Sequence, residues 1–274
     1  MEKIKVMISG LPGRMATLIA EQVEKAKDME LLPFALAELE KQLKIGETPV
    51  ACIPFPFANT RLKKAVKETP PDIIVDFTLP KSVNWNADLY CGLEIPFVMG
   101  TTGGDRDLLV KTVKESNISA VIAPNMAKQI VVFQAMMEYA AENFPGVFEG
   151  YSLKISESHQ KSKIDTSGTA KAMVNYFNKL GIPFTEDQIS KIRDPEIQRN
   201  KGVPEEYLNC HGWHTYTLQS KDKTIFFQFT HNVNGRNVYV QGALEAVRFL
   251  ARHKNKRGKV FSMIDVLKNH TNPS

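Results

Sequence analysis

Short apolar runs recur through the first half of the chain, beginning at residues 4–9 and returning at 31–37, 71–78, 95–100 and 119–123. Each is strand-sized and rich in Val, Ile, Phe or Ala. Helical spacing fills the gaps between them. Residues 16–27 place Leu18, Ile19 and Val23 on one face, and 81–91 and 105–116 also read as helices. Strands that are apolar on both sides belong to a parallel sheet covered by helices on both faces. A ligand of such a sheet belongs at the carboxyl ends of its strands.

After residue 124 the pattern changes. A helix is predicted over 128–143 and strands over 151–158, 211–220 and 224–233, the last two forming a hairpin around Lys221-Asp222-Lys223. Residues 181–210 carry Pro183, Pro195 and Pro204 with little periodicity, and read as a long loop with one short helix. Helices over 242–252 and 262–270 are expected to pack back on the first domain. The expected architecture is a Rossmann-like, doubly wound α/β domain (1–126 and 237–274) with a smaller α+β substrate-binding and oligomerisation domain (127–236).

The segment 157–170, E-S-H-Q-K-S-K-I-D-T-S-G-T-A, carries the densest chemistry. It lies between a predicted strand and a helix expected from Ala170 to Leu180. His159 is an acid/base, Lys161 and Lys163 are cations, and Ser167, Gly168 and Thr169 fall where free backbone N–H groups favour an anion. A capped helix after a charged surface loop is the plainer reading of the same residues. Other small motifs fall at strand ends. Gly10-x-x-Gly13 occupies the first strand-to-helix turn but lacks one glycine of the full dinucleotide fingerprint. Arg14 can reach a phosphate or be solvated. Glu38, after the second strand, suits ribose hydroxyls; Lys41 and Lys44 suit a 2′-phosphate; a plain surface loop fits all three. Gly100-Thr101-Thr102-Gly103-Gly104 ends the fourth strand, and Ala123-Pro124-Asn125-Met126 ends the fifth, where the domains are expected to meet.

Bulk properties narrow the field. The 274 residues are 43% hydrophobic and 24% charged, as in ordinary globular chains. No apolar stretch approaches the roughly 20 residues that span a bilayer, so no membrane role is expected. A net charge of +5 draws small anions and does not suggest nucleic acid. The basic run from Arg248 to Lys259 reads as a solvated helix end. Three scattered cysteines, Cys52, Cys91 and Cys210, form neither a metal pair nor a disulfide framework, so a reducing compartment is expected. No targeting segment is visible, which suggests the cytoplasm, or the plastid stroma if a transit peptide has been removed.

Taken together, the motifs resemble the 4-hydroxy-tetrahydrodipicolinate (dihydrodipicolinate) reductases over nearly the whole chain. They are G-x-x-G-R-M at 10–15, D-F-T at 76–78, G-T-T-G at 100–103, A-P-N at 123–125, E-x-H-x-x-x-K-x-D at 157–165 and S-G-T-A at 167–170. V-M-G-T-T-G-G-D-R and E-S-H-Q-x-S-K resemble the plant-type branch. Gln160 stands where the bacterial pattern has a second histidine, the loop lacks the proline before Ser167, and Ala16 stands where a glycine is usual.

The resemblance implies hydride transfer from NADPH or NADH to a small dicarboxylate substrate, without a metal, in lysine and diaminopimelate biosynthesis. It implies His159 as proton donor, Lys163 as holder of a carboxylate or of developing charge, and Ser167, Gly168, Thr169 and Arg236 at the substrate. Gly10, Gly13, Arg14, Met15, Glu38, Phe77, Gly100, Thr101, Thr102, Pro124, Asn125 and Met126 would line the cofactor. His231 would lie near the substrate; His211 and His214 read as packing or subunit contacts. Met136-Met137 and Phe226, Phe227 and Phe229 read as core or interface. The aromatic hairpin predicts a homo-oligomer, dimer or tetramer. The competing reading is a non-catalytic reductase-like paralogue with an assembly or regulatory role, against which the intact His159, Lys163 and S-G-T speak.

Overall fold

The computed structural model describes residues 2–269, which divide into two compact units, 2–128 with 237–269 and 129–236. The first begins with β1 (Ile4–Ser9), α1 (Arg14–Lys25), β2 (Met29–Leu31), β3 (Phe34–Ala37), β4 (Lys41–Ile45), β5 (Thr48–Pro54) and α2 (Lys63–Glu68). It continues through β6 (Ile73–Asp76), α3 (Val83–Gly92), β7 (Phe97–Met99), α4 (Arg106–Lys114) and β8 (Ser119–Ile122). The second unit holds α5 (Lys128–Asn143, which starts at the boundary), β9 (Ser152–His159), α6 (Gly168–Lys179), β10 (Ser190–Ile192), α7 (Pro195–Asn200), β11 (His211–Gln219) and β12 (Phe226–Asn234). The chain then returns to the first unit with α8 (Asn237–His253), β13 (Lys259–Phe261) and α9 (Met263–Lys268).

In the first unit an all-parallel sheet runs β13-β8-β7-β6-β1-β2. Its chain order reverses between β1 and β6, the place where open α/β sheets bind ligands. Residues Val6, Met7 and Ile8 of β1 are fully buried, because helices cover both faces. Helix α1 buries Ala16, Ile19, Ala20 and Val23, the i, i+3, i+4, i+7 stripe that its pattern demands. It packs beside α8, while α2, α3 and α4 close the other side around Met7, Ile74, Tyr90 and Phe97.

The expected second strand over 31–37 is two strands. Pro33 interrupts it: β2 continues the main sheet, and β3 joins β5 and β4 in a separate three-stranded sheet. The 41–54 hairpin behind it turns at Gly46, whose φ of 56° suits glycine. Residues 181–210 hold more order than expected, because β10 pairs in parallel with β9 and Asp194 caps α7 through the N–H groups of Glu196 and Ile197. Helix α8 starts five residues earlier than expected, and β13 adds a strand where only basic residues were evident. Position 270, the last of the expected final helix, lies outside the described residues.

The second unit is a four-stranded sheet, β10-β9-β11-β12, with α6 against one face. Its core joins Met173, Val174 and Phe177 of α6 to Ile155, Tyr216 and Leu218 of the sheet. The expected hairpin pairs His211 with Asn234 through to Gln219 with Phe226. Met136 and Met137 part company: Met137 is in the core and Met136 is 63% exposed. No helix among the described residues is long and apolar enough to cross a membrane.

Candidate active site

In the first unit the carboxyl ends of β1, β3 and β6 open a cleft of about 190 Å³, lined by Gly10, Leu11, Pro12, Gly13, Glu38, Leu39, Phe55, Phe77, Thr78 and Leu79. The glycines are there because nothing larger fits. Gly10 has a φ of 105°, and a Cβ on it would meet the Phe77 carbonyl oxygen at 2.2 Å. A Cβ on Gly100 would strike the Phe77 ring at 2.2 Å, so that ring is seated on the end of β7. Arg14 and Met15 start α1, where free N–H groups and the helix dipole favour a pyrophosphate. The cleft therefore suits an extended dinucleotide.

Thr101, Thr102, Pro124, Asn125 and Met126, also expected at the cofactor, are not among the residues that line this cleft. Buried Asp76 accepts from Asn86 Nδ2 and Tyr90 Oη at 2.7 Å, from Thr78 Oγ1 at 2.9 Å and from Thr101 Oγ1 at 2.5 Å. Thr101 is thus spent on tying the β6 and β7 loops together, and its carbonyl accepts from Arg106. Its side chain is not available to a ligand, whereas Thr102 is exposed. Pro124 and Asn125 follow β8, Asn125 accepting from the Ala127 N–H at 2.9 Å. Met126 is buried against Gly242 of α8. Lys44 is not beside Glu38 in a loop: it is on β4, paired with Glu47 at 2.9 Å. The cation beside Glu38 is Lys81, at 3.4 Å, a residue not among those expected at the cofactor.

In the second unit the sheet gathers a denser cluster. Strand β9 runs on through His159, one residue past the expected strand, so Glu157 and His159 share one face of the sheet. Glu157 is fully buried. Arg193, at the end of β10, pairs with its Oε1, and the Ser167 N–H donates to Oε2 at 2.9 Å. Arg193 also donates to the carbonyls of Lys163 at 2.8 Å and Asp165 at 3.3 Å, which fixes the loop carrying Lys163. Lys163 Nζ holds Asp165 at 2.8 Å and is partly exposed. Arg193 was not among the expected site residues; the only local signal was the Asp194-Pro195 helix start beside it.

His159 Nδ1 lies 3.1 Å from the His211 carbonyl. That contact makes Nδ1 the donor and leaves Nε2 as the working end, which is buried with no partner. Burial is the main force lowering its pKa, to about 4; Lys163 and Arg193 push the same way and Glu157 opposes them. A free imidazole titrates near neutrality, but without a ligand His159 is neutral at pH 7.

Helix α6 begins at Gly168, two residues earlier than expected. The Ser167 N–H is not free, because Glu157 takes it. The hydroxyls of Ser167 and Thr169 and the first-turn N–H groups of α6 remain for an anion, and a side chain on Gly168 would meet nothing within 4 Å. Arg236 follows β12 at the end of the unit and makes no hydrogen bond to this cluster. His211 is structural: Nε2 meets Ser158 Oγ at 2.8 Å and Nδ1 meets the Tyr207 carbonyl at 3.0 Å. His231 stacks on His214 at 4.7 Å and lies 3.4 Å from Tyr216 Oη.

A dinucleotide cleft in one unit and an acid/base, a lysine and a helix N-terminus in the other define a nicotinamide-dependent reductase of an anionic substrate. Comparisons with known proteins agree. Residues 4–126 match the family model of the dihydrodipicolinate reductase N-terminus, and 129–267 that of its C-terminus. A probable chloroplastic 4-hydroxy-tetrahydrodipicolinate reductase 2 of rice is 44% identical over 96% of this chain and 82% of its own length. The chloroplastic reductase 2 of Arabidopsis thaliana is also 44% identical, over 97% of this chain and 77% of its own. A dipicolinate-bound dihydrodipicolinate reductase from Paenisporosarcina shares the fold, with a TM-score of 0.65 at 19% identity over 96% of this chain and 98% of that one. The chain belongs to the dihydrodipicolinate reductase family, whose members reduce their substrate with NADH or NADPH.

Proposed function

We propose that this chain reduces 4-hydroxy-tetrahydrodipicolinate to tetrahydrodipicolinate with NADH or NADPH, in lysine and diaminopimelate biosynthesis, and that His159 and Lys163 carry the chemistry. The observation that carries the assignment of roles is the buried, unpartnered Nε2 of His159, in one loop-and-strand unit with Lys163 and the α6 N-terminus. NAD(P)H supplies the hydride. Gly10, Gly13, Arg14 and Met15 receive its pyrophosphate; Glu38, Phe77, Gly100, Thr102, Pro124, Asn125 and Met126 complete its binding. Thr101 acts by holding Asp76 and thereby the loops.

Once water has left the 4-hydroxy compound, hydride addition at C4 drives an electron pair toward the ring nitrogen and the neighbouring carbon. Protonation of that carbon restores the imine. Lys163 stabilises the developing charge and one carboxylate, and Ser167, Gly168 and Thr169 hold the other. Arg236 is assigned to the substrate as well. The substrate's negative charge raises the His159 pKa, so the proton donor is loaded by the substrate itself.

A homo-oligomer is supported by β12, an edge strand of nine residues on which Phe226 and Phe227 are 58% and 41% exposed. An edge of this kind is closed by pairing with another copy. As the plant relatives are chloroplastic by name, plastid stroma is the compartment proposed, with the cytoplasm as alternative. The deciding experiment is oxidation of NADPH and NADH with freshly generated substrate. No turnover by wild-type protein that binds both nicotinamides would return the chain to the non-catalytic reading.

A further inference from the structure

Glu157, His159 and His214 form a donor set that proton transfer does not fully use. Antiparallel pairing of β11 with β9 sets His214 opposite Glu157. Glu157 Oε2 lies 4.0 Å from His159 Nε2 and 3.9 Å from His214 Nε2, and candidate ligand atoms of all three lie within 4.8 Å of one another. Zinc-type ions take N and O ligands at about 2.0–2.2 Å, which in a tetrahedron sets ligand atoms about 3.4 Å apart. Reaching that spacing from separations of at most 4.8 Å asks each pair of ligand atoms to close by about 1.4 Å or less.

Two observations point to a ligand here. His214 is 5% exposed, and neither of its ring nitrogens has a hydrogen-bond partner. His159 Nε2 is in the same condition. Buried polar atoms left so are costly. The outer contacts are also those of a metal site, where a ligating histidine donates its other N–H to a carbonyl and a ligating carboxylate is itself hydrogen-bonded. His159 Nδ1 meets the His211 carbonyl, and Glu157 is held by Arg193 and the Ser167 N–H. Two imidazoles and one carboxylate, with a fourth position for water, suit Zn²⁺ or Co²⁺. The cationic Arg193 and Lys163 nearby weaken the site, which favours a reversible ion over a resident one.

We propose that Glu157, His159 and His214 form an inhibitory site for a divalent transition cation of the zinc class. The ion takes Nε2 of His159 and withdraws the proton donor from the reaction. The inhibition rests on the proton-donor reading of His159; the binding does not.

The test uses metal-stripped, full-length protein without substrate. ZnCl₂ is titrated by calorimetry at pH 7.5, and CoCl₂ by visible absorption. The expected result is one equivalent bound, a tetrahedral Co²⁺ spectrum without thiolate bands, and an affinity lowered about tenfold or more in His214→Ala and in Glu157→Gln. Circular dichroism identifies a variant that has failed to fold, and His214→Gln then replaces His214→Ala. Zn²⁺ should abolish wild-type turnover over the same concentrations that fill the site. No stoichiometric binding, thiolate bands from the cysteines, undiminished binding in the folded variants, or a filled site with full turnover each overturns the proposal. Stoichiometric binding together with an undiminished kcat in His159→Ala would instead fault the proton-donor reading.

Discussion

Substrate-loaded protonation of His159 has a measurable consequence. Its pKa is lowered to about 4 in the unliganded protein, chiefly by burial. A carboxylate about 5 Å from the imidazole, at an effective dielectric of about 20, contributes about 3.3 kcal/mol. That is about 2.4 pKa units, at 1.36 kcal/mol each, and a second carboxylate offsets the cations Lys163 and Arg193. The liganded pKa is therefore expected above 6. Pyridine-2,6-dicarboxylate is a suitable probe, since it has both carboxylates and no reducible bond. Its binding should take up close to one proton per site near pH 5, midway between the two pKa values, falling toward zero well below pH 4 and above pH 8. Calorimetry in buffers of different ionisation enthalpy reads that number directly. His159→Gln should remove the uptake and flatten the pH dependence of affinity. Binding that takes up no proton anywhere between pH 5 and 7 would refute the loading of His159 by its ligand. So would an unchanged uptake in His159→Gln.

Four further outcomes follow from the same geometry. His159→Ala should lower kcat about 10²–10⁴-fold, more than it raises KM, whereas Lys163→Ala should damage both and Thr169→Ala mainly KM; steady-state kinetics separates them. Lys81→Gln should weaken NADPH more than NADH in fluorescence titrations, because Lys81 is the cation beside Glu38; equal effects would place the 2′-phosphate elsewhere. The pKa values of His159 and His231 are both lowered to about 4, so the unfolded chain binds more protons between pH 6.5 and 4, and stability should fall as pH falls through that window. The loss from the two together reaches at most about 7 kcal/mol well below pH 4, read by denaturant midpoints at a series of pH values. Light scattering at micromolar concentration should show a dimer or tetramer, and charges placed at Phe226 and Phe227 should yield a monomer.

The β-α-β order of the first unit and the strand-to-helix frame of 157–170 were legible because they depend on local signals. Apolar runs with helical gaps specify β-α-β order, and the positive φ at the turn before α1 is a local demand that selects glycine at position 10. The 31–37 run was misjudged because which sheet a strand joins is a matter of partners, and Pro33 alone did not reveal that β3 would leave β2 for β5. The 41–54 hairpin was hidden by the lysines on its exposed strand, and β10 and β13 by being only three residues long.

By itself, the sequence determined that this is a reductase of its family with His159 and Lys163 four positions apart in one strand-to-helix segment. Tertiary structure alone decided what those residues meet. Arg193, thirty or more positions away, reaches Glu157 and the Lys163 loop only because β10 pairs with β9. The resting charge of His159 was likewise undecidable from the chain: a solitary imidazole titrates near neutrality, and only burial beside Lys163 and Arg193 takes it to about 4. Thr101 was chosen for a ligand and is consumed by Asp76, since hydrogen-bond partners are assigned by packing across the sheet and not by position in a motif.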